Sequence, residues 1–286
     1  MKEAFGGLST DWKEGINWAA VRAWRLQRAR EAMARHGLGA LLLFYDENMR
    51  YVSSTYTPGW NRLKPGLRYV VLCEGKEPIV YEQGDIGIHL KAHNPWIPPQ
   101  NVRHSYTWIK GAAGPAAQSQ VAKFTAALVA DLEDAGVLGK PLGVDFIDIN
   151  MIPAFQRAGV SWTDGMTPMM EARSIKSPDE QKAVPHRRRD LRLAALRVHA
   201  VPAPGADRER GGRVRLRVPV QHPRMEDVED IIVSSGPNAW PNWRNFSDRI
   251  IRPGELVIVD LAALTWNGFK SCVYRTYCVG GSRPMR

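Results

Sequence analysis

Residues 252–280 read RPGELVIVDLAALTWNGFKSCVYRTYCVG. Arg252-Pro253-Gly254-Glu255 opens a turn, because proline presets φ and glycine accepts a positive φ. Leu256 to Val259 is a short apolar, β-branched run ending at Asp260. Thr265-Trp266-Asn267-Gly268 is a hairpin-type turn, and Phe269 to Val279 returns as a strand rich in aromatic and β-branched residues. The spacing predicts two buried strands, the first ending at Asp260. A lone carboxylate at that place is costly to bury without a partner, so Asp260 is the first residue to explain.

Asp260, Gly268-Phe269, Ser271, Arg275-Thr276, Tyr277 and Val279-Gly280 follow a recognisable order. The stretch resembles the first metal-ligand hairpin of the creatinase / aminopeptidase P / prolidase family, the pita-bread metallohydrolases. That family runs apolar strand, Asp, a turn with Gly and an aromatic, Ser-Asp, two residues, Arg-Thr, an aromatic and Val-Gly. Cys272 stands at the second aspartate. The resemblance implies an α/β fold class: a creatinase-type N-terminal α/β domain over 14–172, then an incomplete pita-bread α+β catalytic domain over 173–286. It also implies two divalent ions (Mn, Co, Zn or Fe) held by four carboxylates and one His, activating a bridging water. The His and two Glu of that set would lie beyond residue 286. Asp260 is then a vestigial ligand, and no cofactor is expected in this chain.

The residues themselves point the same way. Ala262, two residues after Asp260, is not acidic, and Cys272 is a soft ligand that favours zinc over manganese. Two ligands fall short of the usual three. The plainer reading has Asp260 capping local amides and Cys272 as a small core residue.

Upstream, Asn17 can cap a helix running to about His36, with Val21, Trp24, Ala29, Ala32 and Met33 on its apolar face and Gly37 as the stop. Ala40 to Phe44 reads as a buried strand, and Tyr51-Val52 as the start of another short element. Leu67–Cys73 and Pro78–Glu82 read as a hairpin around Glu74-Gly75-Lys76-Glu77. A helix over about Ala116–Ala135 places Val121, Phe124, Leu128 and Leu132 on one face, and Leu142–Phe146 follows as a strand. Alternation of this kind favours an α/β domain and matches the small N-terminal domain of the same family. In residues 171–181, EARSIKSPDEQ, Ser177 is an N-cap, Pro178 sits at N1 and Glu180 closes a capping box. The family opens its catalytic domain with a similar linker.

The chain has 286 residues, 44% of them hydrophobic, and a net charge of +10. Residues 185–224 hold eleven Arg, no Lys and three acids, a net +8, so the remaining residues carry about +2. That distribution argues against a nucleic-acid partner. The tract also lacks Ser, Thr, Asn and every aromatic. It is read as an out-of-frame translation of a GC-rich gene, with the frame restored near Met225 and a second slip at Ser282-Arg283-Pro284-Met285-Arg286. A basic arm is the alternative. Cys73, Cys272 and Cys278 have no zinc-ribbon or CxxC spacing and fit a reducing cytoplasm. The first fifteen residues show no signal-peptide h-region and no run approaches a membrane span, so no membrane partner is expected.

Other candidates rest on the resemblance. Creatinase works without metal through a His placed before this hairpin; the corresponding slot here holds Trp243, and no His lies between Met225 and Arg286. Trp240-Pro241-Asn242-Trp243-Arg244 could form an aromatic cage for a quaternary ammonium or dimethylsulfonium group, with Arg244 on its carboxylate. The alternative is Trp side chains filling a loop over the sheet. The domain arrangement resembles the branch that includes dimethylsulfoniopropionate lyases. Trp60 and Arg62 would reach a partner subunit's substrate, as the equivalent loop does in creatinase-like homodimers, or form a solvated loop. His104 reads as structural.

Three readings stay open. One is a creatinase/aminopeptidase P-like hydrolase of Xaa-Pro peptides or small amide-like zwitterions, inactive as this chain stands. The second is a dimethylsulfoniopropionate lyase-like enzyme. The third is a non-catalytic remnant whose N-terminal domain dimerises.

Overall fold

Ala40–Leu43 and Tyr69–Cys73 are buried at every residue, as strands covered on both faces must be. They are β1 and β2, neighbours at the middle of a six-stranded sheet. The computed structural model describes residues 15–56, 66–84, 86–182, 227–241, 249–252, 254–266 and 268–279. The chain divides into two units, residues 1–181 and 182–286.

In the first unit, β3 is Ile79–Glu82, β4 Val102–His104, β5 Leu142–Val144 and β6 Trp162–Asp164. The strand order is β4-β3-β2-β1-β5-β6. β1, β2 and β3 pair antiparallel; β3–β4, β1–β5 and β5–β6 pair parallel. The predicted hairpin over 67–82 is therefore present. The helices are α1 Trp18–Arg35, α2 Asp46–Ser53, α3 Ile86–His93, α4 Lys110–Ala113, α5 Ala117–Asp134, α6 Met151–Arg157 and α7 Met166–Ser174. One sheet face packs Leu42, Phe44, Tyr69 and Tyr81 against Val121, Phe124 and Leu128 of α5 and Phe155 of α6. The other packs Leu41, Leu43, Val70 and Leu72 against Ala29 and Met33 of α1 and Met169 of α7.

Three expectations need correction. Tyr51-Val52 does not begin an element; both lie inside α2. Its eight residues are short for a sequence period to register. The fifth strand stops at Val144 rather than Phe146. On α1, Trp24 is 36% exposed and the buried stripe runs Val21, Arg25, Ala29, Ala32 and Met33. Arg25 can lie inside because Glu180 neutralises it at 2.7 Å. The N-cap holds: Asn17 Oδ1 accepts from the Ala20 amide at 3.1 Å.

In the second unit, β7 Asp227–Ser235, β8 Leu256–Trp266 and β9 Phe269–Cys278 form an antiparallel sheet in the order β7-β8-β9. The two predicted strands are present, but β9 is largely exposed rather than buried, and the first does not stop at Asp260. It runs on to Trp266 because Leu261, Leu264, Thr265 and Trp266 all find partners on β9. Strand β7 had no sequence expectation. Pairing along β8 from Asp227 to Ser235 makes it regular.

Candidate metal-ligand hairpin

Asp260 lies in the central strand, with Ile232 of β7 and Tyr274 of β9 as its Cα partners. It is buried, and Val257 and Val259 before it are buried as well. Past it the ladder is irregular: Leu261 pairs with Val273 and Leu264 with Ser271, so Ala262 and Ala263 oppose the single residue Cys272. This is the two-against-one count of a β-bulge, a device that re-aims side chains. Beside it the two candidate ligand positions, diagonal neighbours on one face of the sheet, are in contact: Cys272 Sγ donates to Asp260 Oδ1 at 3.2 Å.

Both parts of the plainer sequence reading are corrected here. Cys272 is exposed, not a core residue. Among the described residues, the hydrogen bond to the Asp260 carboxylate comes from that thiol rather than from a local amide.

The turn predicted at 252–255 is built around a fork. Arg249 Nη1 donates to Glu255 Oε2 at 2.8 Å and to Ser235 Oγ at 3.2 Å, and Nη2 meets Oε1. The Arg252 amide donates to Oε2 at 3.0 Å. The Arg249 guanidinium therefore holds the Glu255 carboxyl down at about 2. The fork ties the end of β7 to the start of β8 and is structural. Gly236, at φ +52°, is required there: an added Cβ would meet Glu255 Oε1 at 2.8 Å.

Trp60, Arg62, Trp243 and Arg244 lie outside the described residues. Trp240, the first member of the aromatic cluster, is 85% exposed and does not fill a loop over the sheet. His104, in β4, is exposed with its ring edge-on to Tyr106.

The first unit holds ionic groups that sequence reading missed. Arg68 Nε stands 2.9 Å from Glu82 Oε2, both side chains almost wholly inaccessible. Burial raises the Glu82 pKa, and the Arg68 charge opposes it. Asp145 follows β5 and accepts from the amides of Phe44 at 2.8 Å and Tyr45 at 3.2 Å, and from Asn48 Nδ2 at 2.9 Å. Burial still pushes its carboxyl up to about 6. These groups fasten β5 and β1 to the start of α2. In sequence, an acid just past a short apolar strand, as at Asp260, was the available signal for Asp145.

Comparison with known proteins follows the same division. Residues 25–145 match the Creatinase/Prolidase N-terminal domain, and residues 212–286 match Metallopeptidase family M24. The second match begins inside the basic tract. With the α/β first unit and the hairpin bearing Asp260, this defines the class: the chain belongs to the creatinase / aminopeptidase P / prolidase family of pita-bread metallopeptidases. Its branch lies near dimethylsulfoniopropionate lyase DddP of Roseobacter denitrificans, to which it is 23% identical over 93% of its own length. It spans 60% of that relative's length. Among solved structures it is similar to dipeptidase PepE of Mycobacterium ulcerans, at 23% identity and TM-score 0.59, covering 94% of this chain and 68% of that one. It is also similar to a prolidase of Thermococcus sibiricus, at 18% identity and TM-score 0.66, covering 92% and 66%. These likenesses show the fold.

The family implies divalent metal. Among the described residues, no group of three or more His, Cys, Asp or Glu is gathered that could hold an ion. The hairpin offers one carboxylate whose Oδ1 already accepts a thiol hydrogen. That donor set does not fit a pair of hard divalent ions, which favour oxygen ligands. No helix among the described residues is long and apolar enough to cross a membrane.

Proposed function

We propose that this chain is a creatinase/aminopeptidase P-like protein, built for Xaa-Pro peptides or small amide-like zwitterions, whose metal-dependent hydrolysis is silent in the chain as it stands. One observation carries the reading: the Cys272 thiol, where the resemblance expects a second carboxylate, donates to Asp260. A thiol–carboxylate pair offers one anionic oxygen group where the family offers two, so it binds hard ions weakly. The partners in this reading are a short peptide or small zwitterion and a second copy of the chain through the N-terminal domain. The setting is the cytoplasm, in keeping with three free cysteines.

A second reading has its own support. A relative matched over 93% of the chain is a dimethylsulfoniopropionate lyase. In that reading the Trp240–Arg244 cluster meets the substrate, with Trp243 and Arg244 on its two ends.

Purified full chain is assayed on Xaa-Pro dipeptides with added manganese or cobalt, and for dimethyl sulfide release from dimethylsulfoniopropionate. Silence in both supports the proposal. Peptide turnover overturns the silence and keeps the peptidase class; dimethyl sulfide release replaces both with the lyase.

A further inference from the structure

On the surface of the first unit, far in sequence from the hairpin, His89 and His93 stand one turn apart on α3. Their ring centroids are 4.2 Å apart with the planes at 39°. Residues four apart share a helix face, and two His at that spacing supply two of the three protein ligands of helical zinc motifs; an exposed pair alone is a weaker clamp that water completes. We propose that His89 and His93 form a surface clamp for one borderline divalent transition ion, of the zinc, nickel or copper(II) type.

The geometry sets the scale. With bonds of about 2.0–2.1 Å, a tetrahedral zinc would hold two ring centroids about 5.2 Å apart, whereas two rings at 90° on a tetragonal nickel or copper(II) ion stand about 4.5 Å apart. The observed 4.2 Å differs from the latter by a few tenths of an ångström, within reach of a small side-chain rotation. Both rings are exposed, so an ion arrives from solvent and water completes its shell. The helix beneath is anchored. Leu90 is 2% exposed within the α1-side core, and the Asn94 amide and Nδ2 both donate to the Leu90 carbonyl, at 2.9 and 3.0 Å. Lys91 lies about 200° around the helix from either His, so its charge points away from the ion. A cation over the last turn also meets the negative end of the helix dipole. Imidazole suits this class of ion, whereas the hard ions of the family prefer oxygen.

The test is titration of the full chain with nickel or zinc by calorimetry, beside His89→Ala and His93→Ala. Because both side chains are exposed, the variants keep their fold, which circular dichroism checks. The chain has seven His, so the difference between proteins is the readout. Each variant should lose at least tenfold in affinity for one ion per chain. Copper(II) electron paramagnetic resonance should show two nitrogen ligands in the wild type and one fewer in each variant. Equal affinity in all three proteins, or loss in only one variant, overturns the clamp.

Discussion

Cys272 Sγ on β9 lies 3.2 Å from Asp260 Oδ1 on β8, so the two positions that the family resemblance marks as ligands hold each other. Restoring the carboxylate separates them again. Cys272→Asp should bind manganese or cobalt more tightly than the wild type, on the order of tenfold or more, since even outer-shell partners change metal affinity by that factor. Equilibrium dialysis of the two proteins checks it, and equal binding would sink the reading of the thiol as the obstacle.

Arg25 and Glu180 form an ion pair whose side chains are 8% and 4% exposed. Glu180 also closes the capping box: its amide donates to Ser177 Oγ at 3.1 Å, and its Oε2 accepts from the Ser177 amide at 2.7 Å. Removing one partner leaves a buried charge alone, which costs about 3–5 kcal/mol. Arg25→Met should destabilise the first unit by that order. Arg25→Met with Glu180→Gln should recover much of the loss in urea unfolding.

Asp145 links stability to pH. Its folded pKa is about 6, raised by burial, against about 4 in the unfolded chain. Between those values the folded state binds more protons, so unfolding free energy falls as pH rises. The contribution is complete below about pH 4 and is lost as pH rises through about 6, an effect on the order of 2–3 kcal/mol. Asp145→Asn should flatten that slope in denaturant melts at pH 4, 5, 6 and 7, whatever its effect on absolute stability.

Phe124 is fully buried, with its ring centroid 4.1 Å from that of Trp108 and 5.1 Å from that of Tyr69. Phe124→Ala opens a cavity at the junction of α5 and the sheet. A loss of about 3–5 kcal/mol is expected, measured as a shift of the urea midpoint with an unchanged slope.

The basic tract, 185–224, lies outside the described residues. If it is out of frame, sequencing the gene locus and its flanks will find a compensating pair of single-nucleotide slips bounding it. An intact reading frame homologous to the family across the tract would replace that account with a basic arm.

Much of the hairpin was legible because turn chemistry is local. Pro253-Gly254 and Asn267-Gly268 bracket β8 in the sequence, and Asp260 stands out against its apolar run. The capping box at Ser177 and the face of α5 were legible for the same reason: their partners lie three or four residues away. Strand β7 was not, since its regularity comes from pairing with residues 22 to 38 positions later. Nor was the burial of Arg25, whose tolerance depends on a carboxylate 155 residues distant. The sequence by itself determined the family, the α/β class and that a cysteine, Cys272, stands where the resemblance expects a second aspartate. Only the tertiary structure decided that Cys272 and Asp260 touch, because the register between β8 and β9 makes them diagonal neighbours on one face of the sheet.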